Sequence, residues 1–556
     1  MTGFQIGAPL GLAVMVAASS PIHAQDFKAA CEALSAGVSA VGHVTEAIFV
    51  PAGPVALLPP APAGATTPAP DHCLIRGKIN ERTGIDGKPY AIGYEVRIPA
   101  SWNGKFIFQG GGGVDGVLRL ALGVIGSGTP QPNGLSAGYA SASTDAGHLE
   151  EPGPIGPYLF GLDPQARADK GYSSIPPVAA AAKALITRVQ GRAPARSYFV
   201  GCSNGGRQSM VATQRYPEMF DGVIAAAPAY RVPLAAIDAI GRTQALMSIA
   251  PKGDDGKPDL GSALTKSDLK LLADGILQSC DAADGLKDGM VQNIAACKFE
   301  PSVLACKDGQ SEACFPQDKV DVLKRVFGGI KNSKGEIIYS AWPYDPGVAA
   351  NGWTAWSIGT PKASPPNARN VTLIPGSVAY DFMTPPDKPT DLLDWSMKFD
   401  LDRDPPKVFK GKDGFEAGME FEAATSTNLD AFKAKGGKII FLHGTADPIF
   451  SSLDTIRYQE ALQARYGSDT DNFSRVFLVP GMNHCAGGPA TDEFDAVTAL
   501  DSWVENGLAP DRILARARKT PDVPWVGRTR PLCPFPKVAT YKGSGDVEDA
   551  ANFECR

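Results

Sequence analysis

Short apolar runs punctuate the chain at intervals that helices would fill. Lys105–Gln109 (KFIFQ), Tyr139–Thr144, Ser197–Val200 (SYFV), Val223–Ala226, Lys438–Leu442 (KIIFL) and Val476–Val479 (VFLV) are brief and largely without polar alternation. That is the pattern of strands buried on both faces. A helical stretch, Arg207–Tyr216, follows a glycine-rich turn after SYFV. Strands that alternate with helices imply a mostly parallel sheet covered on both sides, so the expected class is α/β. Two stretches break the pattern. Residues 51–70 are rich in proline and alanine and read as irregular surface chain. Residues 230–428 have few β-branched runs, long loop-like gaps, four cysteines, and Trp342, Trp353, Trp356 and Trp395. They read as an insertion between two late sheet strands, a lid over a main domain made of residues 25–229 and 429–556. A chain of 556 residues exceeds one ordinary domain, in keeping with that division. No internal repeat is visible.

Composition adds compartment and partner. Hydrophobic residues make up 44% of the chain, enough for a large core. The net charge is −6 and no Lys/Arg run occurs, which argues against a nucleic-acid partner. Leu10–Ala18 is an apolar run too short to span a bilayer, and small residues follow it up to a cleavage point at Ala24. Residues 1–24 therefore read as an export signal, although they contain no Lys or Arg. No other stretch is long and apolar enough for a membrane span, so the mature chain is expected to be secreted or periplasmic, without membrane insertion. The ten cysteines are Cys31, Cys73, Cys202, Cys280, Cys297, Cys306, Cys314, Cys485, Cys533 and Cys555. They are even in number and include no CxxC pair, so up to five disulfides is the economical reading in an oxidising compartment.

The candidate chemistry starts at Gly201-Cys202-Ser203-Asn204-Gly205, which fits G-x-S-x-G between a strand and a helix. This is the nucleophile elbow of an α/β-hydrolase: small flanking residues allow a sharp turn that lifts the Ser203 hydroxyl above the sheet edge. The following helix points its N-terminus at the site, which favours developing negative charge. The base must be one of six histidines: His23, His43, His72, His148, His443 and His484. In this fold the order is Ser, then acid, then His, which leaves His443 and His484. His484 lies in the loop after VFLV and is the expected base, while His443 ends a strand and is expected to be structural. Asp447, just after KIIFLHGTA, is the expected acid, orienting the base and stabilising its charged form. Asp454 is the nearest competitor, but Ser-Ser-Leu before it reads as a helix start. Two backbone N–H groups should meet the oxyanion, one from Asn204 and one from the Gly110–Gly113 loop, where absent Cβ atoms allow close approach. A phosphate loop is the competing reading of those glycines, weakened because no Lys-Ser/Thr follows. If Ser203 and His484 meet, their neighbours Cys202 and Cys485 are close enough to bridge.

Adjacent Cys-Ser and His-Cys with an intervening Asp resemble the tannase/feruloyl esterase family. The likeness runs from about residue 28 to the C-terminus and includes RTGIDGKPY, FGLDPQAR, GYSS, GCSNGGR, LVPGMNHCAGGP, RTRPLCPFP and YKGSGD. The resemblance implies a serine carboxylic-ester hydrolase with an α/β-hydrolase fold and a large inserted lid domain. It implies disulfides Cys31–Cys73, Cys202–Cys485, Cys280–Cys297, Cys306–Cys314 and Cys533–Cys555, and places the second oxyanion donor at Gly113. It also implies structural calcium in the lid, held by the Asp281, Asp284 and Asp288 carboxylates and the Leu286 and Met290 carbonyls. Read without the resemblance, that segment is a solvated acidic turn, although three carboxylates on one short loop repel unless a hard cation sits among them. No organic cofactor is implied.

The expected partner is a small-molecule aromatic ester, met by a monomer. A terephthalate monoester comes first, and feruloyl or gallate esters are the alternative. The resemblance maps a carboxylate-binding role onto Arg369, whose guanidinium fork suits a carboxylate. It maps ring packing onto Trp356 and Phe450 and a polar neighbour onto Ser377. Three positions depart from the pattern: Leu373 stands for an aromatic that closes over substrate, Asn204 for a glutamate, and Gly112 for a serine. Readings of another class are a non-catalytic exported binding protein and a redox role for Cys202. Intact Ser203, His484 and Asp447 argue against the first, and the missing CxxC against the second.

Overall fold

A computed structural model describes residues 24–35, 38–39, 42–59 and 61–556. The expected export signal, apart from Ala24, lies outside the described residues, as does His23. The centre is a ten-stranded sheet. Its strands are β1 (Val38–Ser39), β2 (Gly42–Val50), β3 (His72–Thr83), β4 (Pro89–Pro99), β5 (Lys105–Gln109), β6 (Ala140–Thr144), β7 (Arg196–Cys202), β8 (Gly222–Ala226), β9 (Lys438–Gly444) and β10 (Ser474–Val479). Across the sheet they lie in the order β1-β2-β3-β4-β6-β5-β7-β8-β9-β10. Pairings from β1 to β4, and from β4 to β6, are antiparallel. All those from β6 across to β10 are parallel.

Every run expected to be a strand is one. The sheet, however, starts earlier than the apolar pattern suggested: His43 lies in β2 and His72 opens β3, rather than preceding the sheet. These antiparallel strands carry charge into the sheet. Glu95 on β4 is 1% exposed and accepts from Arg76 Nε at 2.9 Å and Arg97 Nε at 2.7 Å. Compensated charges of this kind interrupt the apolar signature without interrupting the ladder. Residues 51–70 also differ from expectation. Gly53–Ala56 and Thr66–Ala69 pair as a two-stranded ribbon outside the main sheet, where a proline removes no central ladder bond.

Side chains alternate across β7 to β10, as the two-residue period of a strand requires. Phe199, Val223, Ala225, Ile439, Phe441 and Val476 share one face. There they pack with helices α1 (Ile175–Gln190), α2 (Asn204–Arg215) and α4 (Ser452–Tyr466). Tyr198, Val200, Ile224, Ile440, Leu442 and Phe477 share the other, against α5 (Ala496–Asn506). Helix α5 is bounded by chemistry legible in the sequence: the Asp495 carboxylate accepts from Thr498 N, and Gly507 closes the helix at φ 69°.

Residues 227–437 intervene between β8 and β9. They hold helix α3 (Val232–Ser248), many short helical turns and a separate apolar core with Ile237, Ile276, Leu323, Trp342 and Trp353. That core also takes in Ile449 and Phe450, just beyond β9, so the insertion is seated on a sheet-derived loop. A buried ion cluster adds a second joint. Lys170 Nζ lies 2.7 Å from Asp381 and 2.8 Å from Glu422, and Arg207 Nε lies 3.3 Å from Glu422, all at most 2% exposed. Breaking such a buried pair from one side typically costs about 3–5 kcal/mol. The five disulfides are those the resemblance implied, and no cysteine is free. Among the described residues no helix is long and apolar enough to cross a membrane.

Candidate active site

Strands β7, β9 and β10 run parallel, so their C-terminal ends share one edge of the sheet, and Ser203, Asp447 and His484 follow them there. Ser203 sits at φ 65°, ψ −124°, a strained conformation for a residue with a side chain. A Cβ on Gly201 would stand 2.4 Å from the Gly205 carbonyl carbon, and one on Gly205 would stand 2.7 Å from Gly111 O. Both glycines of the motif are therefore required by close backbone approach. Cys202 and Cys485 are bonded, with Cα atoms 5.9 Å apart, so the residues next to them are held as neighbours. Among the described residues His484 makes its side-chain hydrogen bond through Nδ1, and none joins it to Ser203 Oγ.

His484 Nδ1 lies 2.8 Å from Asp447 Oδ2. The other carboxylate oxygen accepts from Ile449 N at 2.9 Å and Phe450 N at 3.1 Å. Burial alone would push the Asp447 carboxyl up. The charge of His484 and hydrogen bonds from His443 and His484 outweigh it and hold the group well below the usual carboxylate range. His443 is buried, with its ring nitrogens 2.8 Å from Thr455 Oγ1 and 3.0 Å from Phe450 O, which fits the structural role expected of it. Asp454 lies in the first turn of α4, where Ser451 is the cap, and pairs with Arg231.

The glycine loop lies against the elbow. Gly113 has φ 62° and open space where a Cβ would be. Asn204 is the first residue of α2 and is buried. A polar network absent from the sequence reading ties these parts together. Gly111 N donates to Gln208 Oε1 at 2.9 Å, Gln208 Nε2 donates to Asp115 Oδ2 at 2.7 Å, and Asn204 Nδ2 donates to Asp115 Oδ1. Burial pushes Asp115 up to about 6, against the hydrogen bond from Gln208 and the charges of Lys170 and Arg207. The available signal was an Asn and a Gln four residues apart, on one face of a helix that starts at the elbow.

Two rings flank the imidazole: Trp356 edge-on at 5.6 Å and Phe450 tilted at 5.5 Å. The Arg369 guanidinium lies 5.3 Å from the centre of the Trp356 ring. It is exposed, and among the described residues no carboxylate pairs with it. Leu373, half-buried, sits one turn on, its N–H 2.8 Å from Arg369 O. Ser377 is buried and donates to Leu373 O at 3.1 Å. The structure thus gathers Trp356 and Phe450 beside His484, with Arg369 over the Trp356 ring, whereas the Ser377 hydroxyl is spent on its own backbone.

The acidic loop lies apart, packed on the C-terminal segment. Asp281 Oδ1 accepts from Asp288 N at 3.2 Å and Gly289 N at 3.1 Å; Asp288 Oδ2 is 2.5 Å from Arg530 Nη2. Asp284 Oδ1 accepts from Leu286 N at 3.0 Å. Burial, opposed by that N–H and reinforced by the nearby Asp288 carboxylate, pushes Asp284 up to about 6. Leu286 packs beside Cys533 and Phe553. Among the described residues no three His, Cys, Asp or Glu side chains converge as a closed metal-ligand group.

Three comparisons bear on this geometry. A sequence model described as tannase and feruloyl esterase matches residues 76–556. Mono(2-hydroxyethyl) terephthalate hydrolase of Piscinibacter sakaiensis is 42% identical, covering 95% of this chain and 92% of that one. Among solved structures, feruloyl esterase B from Aspergillus oryzae aligns with TM-score 0.76 at 22% identity over 95% of this chain and 100% of the other. Tannin acyl hydrolase from Aspergillus niger aligns with TM-score 0.67 at 20% identity, over 96% and 94%. The structural alignments establish the α/β-hydrolase fold.

The environment of Asp447 makes a pH prediction. Its folded-state pKa lies below the unfolded value, so its stabilisation is present above about pH 4 and is lost as pH falls through the folded-state value. Asp447→Asn is expected to lower the unfolding free energy at pH 7, with the gap to wild type closing as pH falls below about 4. Urea unfolding at pH 7, 4 and 3 measures it; a pH-independent gap would contradict the assignment.

Proposed function

The chain belongs to the tannase and feruloyl esterase family and is a carboxylic ester hydrolase; from this premise we propose that it cleaves aromatic acid esters through an acyl-enzyme on Ser203. The preferred substrate in this reading is mono(2-hydroxyethyl) terephthalate, giving terephthalate and ethylene glycol. The observation that carries the substrate choice is Arg369, an exposed guanidinium with no carboxylate partner among the described residues, stacked on a ring that touches His484. A terephthalate monoester has a free carboxylate across its ring from the ester, and the fork of Arg369 suits it. The likeness to a hydrolase named for that substrate supports the same choice.

In this mechanism His484 takes the Ser203 proton as Oγ attacks the ester carbonyl. The N–H groups of Gly113 and Asn204 receive the oxyanion, aided by the N-terminus of α2. Collapse expels ethylene glycol, which leaves with the proton held by His484. Water, deprotonated by His484, then attacks the acyl-enzyme, and Ser203 regains its proton as the acid leaves. Asp447 fixes the imidazole tautomer and stabilises its charged form throughout. Residues 230–428 act as the lid, since Trp356, Arg369 and Leu373 all come from them. A feruloyl or gallate esterase is the second reading: Leu373 stands where the resemblance expects the aromatic that closes over the terephthalate monoester. Five disulfides, together with the export signal read in residues 1–24, support a periplasmic or extracellular location.

Calcium belongs to the same reading, as a structural ion on Asp281, Asp284, Leu286, Asp288 and Met290. Hard oxygen donors from carboxylates and carbonyls suit it, and the carboxylates crowd one short loop. All three carboxylates are engaged by protein donors, Asp281 and Asp284 by backbone N–H groups and Asp288 by Arg530, so binding exchanges some of these contacts for metal–oxygen bonds. The ion would tie the loop to the C-terminal segment and take no part in the chemistry.

Hydrolysis of the terephthalate monoester, methyl ferulate, methyl gallate and a p-nitrophenyl ester, assayed side by side, tests the main proposal. Ser203→Ala is expected to abolish all four, and retained activity would remove the mechanism. Arg369→Ala should lower kcat/KM on the monoester by about 10- to 100-fold, the worth of a charge-assisted hydrogen bond, and leave methyl ferulate unchanged. Equal loss on both would sink the carboxylate clamp. For calcium, chelation is expected to lower the thermal midpoint and added calcium to restore it, with Asp284→Asn insensitive to both; an identical midpoint with and without chelator would reject the site.

A further inference from the structure

Asp447 and His484 sit on separate loops, after β9 and β10, and their relative position must be set by something besides their mutual hydrogen bond. The loops touch through the backbone: Thr445 N donates to Val479 O and Ala446 N to Met482 O, each at 3.1 Å. A third backbone enters from the insertion. A Cβ on Gly347 would stand 2.5 Å from Ala446 Cβ and 2.7 Å from Gly481 O, so the three segments are in contact. Asp345, two residues earlier and 2% exposed, places its carboxylate at this junction.

Its two oxygens do different work. Oδ1 accepts from Gly347 N at 2.7 Å, an ordinary cap on the helical turn Pro346–Ala349. Oδ2 faces the other two segments. It accepts from the Thr445 hydroxyl, two residues before Asp447, and from Gly481 N at 3.0 Å, three residues before His484. Asn483 pins the same junction from the base loop, its Nδ2 donating to Ala446 O at 3.0 Å and Gly347 O at 3.2 Å. Asp345, Thr445 and Asp447 line one small cavity with Arg242, which itself holds Pro448 O at 2.8 Å. A helix cap needs one oxygen; the second, aimed across the chain at both loops, has no local purpose.

We infer that Asp345 is a positioning residue: its Oδ2, supplied by the insertion, clamps the Asp447 loop to the His484 loop and so sets the acid–base geometry. This rests on the catalytic reading of Ser203, Asp447 and His484 given above. It makes the insertion a structural part of the catalytic apparatus, in addition to its cover over the substrate.

Asparagine is the informative substitution, because it caps a helix about as well as aspartate. In Asp345→Asn the amide oxygen can keep Gly347 N, and the amide nitrogen then faces Gly481 N, donor against donor. The expected result is a fall in kcat of about 10- to 100-fold, the scale of a misplacement on the order of 1 Å, with KM for a p-nitrophenyl ester within about threefold. The downfield proton resonance of the Nδ1–H between His484 and Asp447 should broaden or be lost, while circular dichroism and the disulfide content stay those of wild type. Thr445→Val should lower kcat alone and add little on top of Asp345→Asn. If Asp345→Asn keeps wild-type kcat and the downfield proton, capping is the whole role of Asp345 and the inference falls. A conformationally intact Asp345→Ala with wild-type kcat overturns it as well. Ser203→Ala, run alongside, separates the two readings. Activity retained there refutes the catalytic reading itself, whereas its loss together with wild-type Asp345→Asn refutes only the clamp.

Discussion

A covalent bond between the neighbours of Ser203 and His484 is the constraint on which this architecture turns. Cys202 and Cys485 are 283 residues apart in the chain, and the insertion accounts for most of that distance. Closing so long a loop in the unfolded chain is entropically costly, so the bond removes many conformations that separate the two residues. It is compatible with the native fold only because β7 and β10 run parallel in one sheet and end on the same edge. The sheet supplies the coincidence of strand ends, and the sulfur bridge makes it permanent.

Around that bridge the polar groups are arranged in depth. Asp447 is fully engaged, by His484 on one oxygen and two backbone N–H groups on the other, so its charge is secured despite burial. Behind the glycine loop Asp115 joins Asn204 and Gln208, and this fixes Gly111 relative to the start of α2. Buried polar networks of this kind are costly when half satisfied and rigid when complete. Rigidity is what an oxyanion site needs, since its donors must be aimed before charge develops.

The insertion is integrated into this arrangement. It shares a core with Ile449 and Phe450, and its Asp381 and Glu422 hold Lys170 and Arg207. It also presents Trp356 next to the imidazole and Arg369 over that indole ring. One inserted segment thus reaches the rings beside the imidazole and the loops that carry Asp447 and His484.

The local elements were legible because their signals are local. Apolar runs marked β5 to β10, the glycines of G-x-S-x-G marked the elbow, and chain order singled out His484 and Asp447. The antiparallel β2–β4 escaped because charged residues interrupt their apolar pattern: Arg97 meets Glu95 two residues away on β4, and Arg76 reaches the same carboxylate from β3, a cross-strand pairing that linear order does not display. Asp115 and Asp345 escaped for the same reason: each is one aspartate among many until distant donors converge on it. Linear order was enough to say which residues could form strands, which serine could be strained into a nucleophile, and which imidazole and carboxylate could serve it, because period, small-residue demand and order are properties of a linear chain. Which polar side chains lose water together and must therefore satisfy one another was settled in the folded chain alone, because burial and partnership are properties of packing across segments that the chain keeps far apart.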